Sequence, residues 1–467
     1  MKFSVSSIEI YERDVKLRMP FRFGVVTLTE APQAFVRARI RLENGAEAEG
    51  GAAELLAPKW FDKDPALSNE QNFEQLRASL ALARDAYLAS GENTAFGHSI
   101  DIYGPQIAIA AAQGLNSLVA CYGPALVDRA LLDALCRALG VSFFQAIEKN
   151  LPGLSAPGWQ ADLMAFDMDE FLAGLKPRKT MAARHTVGLV DPIVPSDIKQ
   201  PVGDGLPESL DQVVERYGHR WFKLKVSGDP HVDIERLAAI AAVLERIGEP
   251  YQATLDGNEQ FADADEFIRL WKKIREEPRL KRLASSIVFV EQPIKRSHAL
   301  ASDISALAED IPVIIDESDD SLEAFPRARR LGYSGVSSKT CKGIYKSLLN
   351  AARCRLWNME EGSNRYFMSG EDLTVQAGLA VQQDLALVAL LGLTHVERNG
   401  HHYVNGMAGL PEAEQAAFLR AHDDLYERSH GAVRVRIAGG NLEIASLACR
   451  GYAAAVLPDW SSMRSMQ

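Results

Sequence analysis

The chain has 467 residues, 47% of them hydrophobic and 24% charged, with a formal net charge of −11. This is the composition of an ordinary globular protein, long enough for a full catalytic domain and a smaller one. It argues against a nucleic-acid-binding surface or a polybasic membrane patch. The N-terminus MKFSVSSIEIYERD lacks the apolar run of a signal peptide, and the most apolar stretch, LALVALLGL at 385–393, is too short to cross a bilayer and reads as a buried helix running into a buried strand. The five cysteines, Cys121, Cys136, Cys341, Cys354 and Cys449, are odd in number and have no zinc-type spacing. They read as reduced thiols of a cytoplasmic protein.

In chain order, FVRARIRL (35–42) alternates apolar and charged residues with the period of a half-buried strand. Asn44-Gly45 supplies a hairpin turn, and AEAEGGAAEL (46–55) the return strand, with Gly50-Gly51 loosening its end. Upstream, RMPFRFGVVTLTEAP (18–32) is expected to be a mobile loop. From about 66 to 148 the spacing is helical, with helices expected over 106–123 and 125–140.

A new rhythm starts near 180. TMAARHTVG (180–188), WFKLKV (221–226), YQATLD (251–256), SIVFVE (286–291), PVIID (312–316), SGVSSK (334–339), YFMS (366–369) and LTHVE (393–397) are short β-rich runs alternating with amphipathic helical runs. About eight such units predict an α/β fold, a closed (β/α)8 TIM-type barrel. An open doubly wound sheet is the alternative, but no glycine-rich phosphate turn follows any strand. AVRVRIAGGNLEIA (432–445) is expected to form a hairpin around Gly439-Gly440. The expected domains are an α+β cap over 1–150, the barrel over 151–430, and a segment over 431–467 that returns to the cap.

In such a barrel, chemistry sits where strands end. The second strand carries Lys223 and Lys225, two apart and so on one side. The third ends in Asp256, the fourth in Glu291, the fifth in Asp316 and the sixth in Lys339. Three converging carboxylates repel each other unless a hard divalent cation joins them, and all-oxygen ligation suits Mg2+. Strands two and six are opposite in an eight-strand barrel, so Lys225 and Lys339 would face each other across a bound substrate. Free lysine, with a pKa of roughly 10.4, is mostly protonated at neutral pH, and a neighbouring cation lowers that pKa so that it can act as a base. Loss of the proton next to a carboxylate would give an enediolate, stabilised by the metal and a lysine ammonium.

The run KLK (223–225), LDGN (255–258), VEQP (290–293), IDES (315–318) and SSK (337–339) resembles the enolase superfamily, and most of all its muconate-lactonizing-enzyme-like subgroup within the mandelate racemase/muconate lactonizing enzyme family. The likeness extends to VDRALLDALCRALGVSFF (127–144), which resembles the helix ahead of that family's barrel. It implies Asp256, Glu291 and Asp316 as metal ligands, Lys225 and Lys339 as the acid/base pair, and Lys223 as an electrostatic helper. Substrate would be touched by Arg22 and Trp60 from cap loops near 18–32 and 50–62, and by Asn258, Glu371 and Glu397. It also implies a homo-oligomer, a dimer or octamer. Two stretches, about 57–105 and 189–210, lengthen the chain beyond a usual member.

The expected function is Mg2+-dependent abstraction of a proton α to a carboxylate, giving racemisation, epimerisation or cycloisomerisation of a small acid. The alternatives are dehydration of a hydroxy or sugar acid, a barrel that binds a small acid without turnover, and a Schiff-base lyase acting through Lys339. There is no K-x-H on strand two, which argues against the mandelate-racemase arrangement. Strand eight ends in Glu397, Arg398 and Asn399, where dipeptide epimerases carry D-x-D; here Glu397 could meet a cation and Arg398 an anion. Plainer readings stand beside these. Asp316 to Asp320 can be a solvated acidic loop, Lys342 and Lys346 a basic helix start, His401-His402 a surface loop, and Cys341 buried filler.

Overall fold

A computed structural model describes residues 1–24, 26–156, 158 and 160–466. The cap begins with three antiparallel strands, β1 (Lys2–Phe23), β2 (Val26–Leu42) and β3 (Glu47–Leu55). Helix α1 (Asn69–Ala89), the two-residue strand β4 (Asn93–Thr94), and helices α2 (Ala95–Ala112) and α3 (Ser117–Leu139) follow.

The expected loop over 18–32 is instead the end of the β1–β2 hairpin, which stays paired as far as Phe23 and Val26. Met19, Phe21 and Phe23 alternate into the interior. Pro20 falls in a register shift between Lys16 and Phe21, where no ladder hydrogen bond is asked of it. Gly50 does not loosen β3. A Cβ there would lie 2.2 Å from Ala134 N and 2.3 Å from Ala130 O, so the glycine lets the strand press on the backbone of α3.

The helical region divides differently from the expected 106–123 and 125–140. Gly114, at φ 78°, ends α2, and Asn116 caps α3 by accepting from Val119 N. Helix α3 then runs through Pro124. Proline has no N–H to offer Ala120, whose carbonyl accepts instead from Ser79 Oγ at 3.1 Å and Gln106 Nε2 at 3.3 Å.

The barrel strands are β5 (Thr180–Val187), β6 (Trp221–Lys225), β7 (Gln252–Asp256), β8 (Ile287–Glu291), β9 (Val313–Ile315), β10 (Gly335–Ser338), β11 (Phe367–Gly370) and β12 (His395–Glu397). Each pairs in parallel with the next, and β12 returns to β5 with Glu397 opposite Arg184. The sheet is therefore closed, which excludes the open doubly wound alternative. Helices such as Pro230–Leu244, Ala264–Glu276 and Ile344–Glu361 cover it. After β8 the expected helix is two single turns, Arg296–Ala299 and Ser305–Ala308.

In the tail, β13 (Tyr426–Ser429) pairs with β14 (Ala432–Val435) through a His430-Gly431 turn, both residues at positive φ. Of the expected hairpin over 432–445 only the turn forms, Ala438 and Asn441 bridging antiparallel across Gly439-Gly440, while the flanking strands pair elsewhere. β15 (Asn441–Glu443) pairs antiparallel with the start of β5, because Gly440 is docked on the barrel: its N–H donates to Tyr217 O and its carbonyl accepts from Ala183 N. Strand β16 (Arg464–Met466) pairs with β1, Met466 opposite Ile10. No helix among the described residues is long and apolar enough to cross a membrane.

Candidate active site

The ends of the barrel strands bring one charged constellation together under the cap. Lys223 and Lys225 lie on one side of β6, as their two-residue spacing requires. The Lys223 ammonium lies 2.9 Å from Asp256, 2.8 Å from Glu291, 2.8 Å from Glu371 and 3.1 Å from Glu397. Lys225 donates to Asp256 Oδ2 at 2.6 Å, and Lys339 donates to Asp316 Oδ2 at 2.6 Å. All of these side chains are buried.

At so low a dielectric the charges set one another's protonation. Burial pulls the Lys223 amine down, yet the four carboxylates hold it well above the usual lysine value. Burial pushes Asp256 up, but Lys223 and Lys225 outweigh it and keep the carboxyl below its ordinary range. Burial likewise raises Asp316, and Lys339 and Lys342 reverse this and hold it far down. Burial lowers Lys339, whereas its pairing with Asp316 carries it above the ordinary value. Glu291 is the exception. Burial, then repulsion from Asp256 and Glu371, push it well above a normal glutamate.

Neither oxygen of Glu291 receives a hydrogen bond, and the side-chain oxygen of Asn258 is also without a partner. Buried polar atoms left in this state are uncommon and call for an explanation. Asp256, Glu291 and Asp316 end three neighbouring strands and form an all-oxygen, anionic donor set with unused acceptor capacity, which fits a hard divalent cation.

The cap closes one side of this mouth. A Cβ at Gly24, at the hairpin tip, would stand 3.1 Å from Gln260 Nε2 and 3.9 Å from Asn258 O. Phe21, Phe23, Leu28 and Trp60 line the pocket together with Lys223, Lys225 and Lys339. The Lys339 ammonium lies 4.3 Å from the centroid of the Trp60 ring.

Residues 205–414 match the family model described as enolase C-terminal domain-like. Over this stretch the barrel is similar to members of the enolase superfamily. No curated protein matches the chain in sequence. Solved enolase-superfamily structures share its fold at low identity. A dipeptide epimerase from Cytophaga hutchinsonii, complexed with Mg and the dipeptide D-Ala-L-Val, is 15% identical with a TM-score of 0.60, covering 99% of each chain. A muconate lactonizing enzyme from Mucobacterium Smegmatis, complexed with muconolactone, is 17% identical with a TM-score of 0.57, covering 98% of each chain. An enolase superfamily member from Roseovarius nubinhibens, complexed with magnesium, is 16% identical with a TM-score of 0.57, covering 100% of this chain and 99% of the other.

Within this site the structure draws together Lys223, Lys225, Asp256, Glu291, Asp316 and Lys339, with Asn258, Glu397 and Trp60 at the pocket. It does not bring Arg22 in. That side chain is exposed on the strand face opposite Phe21 and Phe23, which are the hairpin's contribution to the pocket. Glu371 does not face the pocket either. It is fully buried and bound by Arg184, Ser369 and Lys223, so it holds the floor. Arg398 donates through Nη2 to Asp384 at 2.5 Å, and its Nη1 stands 3.8 Å from Asp372.

The acidic run after β9 is not a solvated loop. Glu317 and Asp319 are buried, the first beside Lys63 at 3.2 Å and the second beside Lys342 at 3.0 Å. Lys342 and Lys346 are accordingly buried partners of these acids, not an exposed basic helix start. Sequence reasoning missed Lys63, which joins Glu259 at 2.5 Å and Glu317 across 254 residues of chain. No local pattern marks such a pair.

Proposed function

We propose that the chain is a Mg2+-dependent enzyme that moves the proton α to the carboxylate of a small acid, giving racemisation or epimerisation. The observation that carries this reading is the placement of Lys225 and Lys339. They extend from β6 and from the end of β10, strands separated by three others on either side of a closed eight-strand barrel. Each is paired with a different carboxylate of the donor set.

Asp256, Glu291 and Asp316 would hold the cation. When bound, it would neutralise these carboxylates, loosen their hold on the lysines and draw charge off a substrate carboxylate. Lys225 then removes the α-proton from one face, and the Lys339 ammonium returns a proton to the other; the reverse reaction exchanges their parts. Lys223, kept protonated by four carboxylates, supplies fixed positive charge beneath the reacting centre. Phe21, Phe23, Leu28 and Trp60 offer an apolar wall for a substituent at the α-carbon and keep water from the lysines. The magnesium and epimerase relatives support this reading. Glu397 is bound by Lys223, Thr186 and Asn399, which argues against its holding a dipeptide ammonium.

The test is deuterium uptake at the α-carbon in D2O, using Mg2+-loaded protein and a library of amino acids, N-acyl amino acids, dipeptides and hydroxy acids. Uptake that requires the metal supports the reading. Uptake without metal, or none from protein that binds Mg2+ at these carboxylates, contradicts it.

A further inference from the structure

Behind the first barrel strand four histidines meet. Arg184 and Thr186 of β5 reach into the barrel, to Glu371 and Glu397, so His185 between them points outward. It meets His219, which stands just before β6, and His401 and His402, which follow β12. The pair His401-His402, expected on a surface loop, is buried.

His219 fixes the chemistry of the cluster. Its Nδ1 lies 2.8 Å from Ala183 O. A carbonyl only accepts, so Nδ1 carries the proton and Nε2 is a lone pair. That Nε2 is buried and has no hydrogen-bond partner. A ring held by a backbone carbonyl on one nitrogen, with the other left bare, is how metal-ligating histidines are oriented.

His185 Nδ1 and His401 Nε2 face each other at 3.3 Å. Tetrahedral ligation at a Zn–N distance of about 2.0–2.1 Å sets ligand nitrogens roughly 3.4 Å apart. One nitrogen from each of His185, His219 and His401 falls within 4.8 Å of the others. Burial holds His185 and His401 well below the ordinary imidazole value and His219 at about 4, so the rings are neutral at physiological pH. The cations that act on the cluster are paired elsewhere, Arg18 with Asp204, Arg220 with Glu249 and Arg398 with Asp384.

We infer that His185, His219 and His401 form a binding site for a divalent transition-metal ion, zinc by the chemistry of its ligands, separate from the carboxylate site. An all-imidazole set selects such ions over Mg2+, which takes oxygen. The three ligands come from β5, from the segment entering β6 and from the loop leaving β12. The ion therefore pins the seam where β12 closes on β5, and steadies the strand end and the segment after it that bring Glu397 and Asn399 to the pocket. His401, 9% exposed, is the side of entry.

The test is titration of the chelator-stripped, full-length protein with Zn2+ in saturating Mg2+, followed by calorimetry, with Co2+ as a spectroscopic stand-in. The expected result is one equivalent of Zn2+ and the intense visible absorption of tetrahedral Co2+. Both are weakened by at least about 100-fold in His219→Gln and His401→Gln and kept in Glu291→Gln. Circular dichroism checks that each variant is folded, and the more exposed His401→Gln decides the matter if His219→Gln is not. Absence of a zinc equivalent under saturating Mg2+, retention in folded His401→Gln, or loss in Glu291→Gln would overturn the inference.

Discussion

The Trp60 ring of the cap and the Lys339 ammonium of the barrel lie 4.3 Å apart, centroid to nitrogen, while that ammonium also donates to Asp316. One lysine is thus oriented by both domains at once. Such a ring contributes on the order of 0.5–2 kcal/mol to holding a desolvated cation. Trp60→Ala should therefore lower kcat by roughly tenfold, and Trp60→Phe should recover most of the loss. Steady-state kinetics of the two variants check this. Equal losses would mean that the indole acts by bulk in the pocket and not by its face.

Glu291 is buried with two oxygens that receive no hydrogen bond, and burial with the crowding of Asp256 and Glu371 pushes its carboxyl well above a normal glutamate. Such strain is expected of a ligand kept for a cation. Glu291→Gln should weaken Mg2+ binding by roughly 100-fold or more, since a single unit charge at 4 Å and an effective dielectric of 20 is worth about 4 kcal/mol. The metal-free variant should melt higher than the metal-free parent. Calorimetric titration and thermal unfolding with and without Mg2+ read both effects.

Asp128 in α3 is buried in the cap, where it accepts from Tyr87 at 2.5 Å and Ser99 at 2.7 Å. Burial raises its carboxyl from 3.8 to about 7. The folded state thus holds this proton more tightly than the unfolded chain does. The resulting stability is complete below pH 4 and is lost as the pH rises through 7, by a few kcal/mol at most at about 1.4 kcal/mol per pH unit. Asp128→Asn should not share this loss. Its melting temperature relative to the parent should climb between pH 5 and pH 8, and a constant difference would show that Asp128 does not titrate there.

The barrel was legible because each strand is short, apolar and set between amphipathic helices, and because Asp256, Glu291, Asp316 and Lys339 all stand at strand ends. The cap was less so. Pro20 and Gly24 suggest a loop when read locally, yet the alternation of Met19, Phe21 and Phe23 keeps the hairpin paired to its tip. Pro124 suggests a boundary, but the carbonyl it leaves free is taken by Ser79 and Gln106 from other helices. Arg22 was placed on the wrong face because a loop has no alternation to count. His401-His402 concealed its surroundings because its partner His185 is 216 residues away in sequence and His219 is also distant. Partners brought together only by closure of the barrel leave no spacing to read.

The central claim is that two lysines act from opposite faces of one α-carbon. The most direct test follows α-deuterium uptake from each enantiomer of a substrate separately, in Lys225→Ala and in Lys339→Ala, with Mg2+ present. The prediction is a crossed result: each variant loses racemisation, one still exchanges only the first enantiomer and the other only the second. Exchange of both enantiomers abolished by Lys225→Ala and untouched by Lys339→Ala would contradict it, and would reduce the site to a single base.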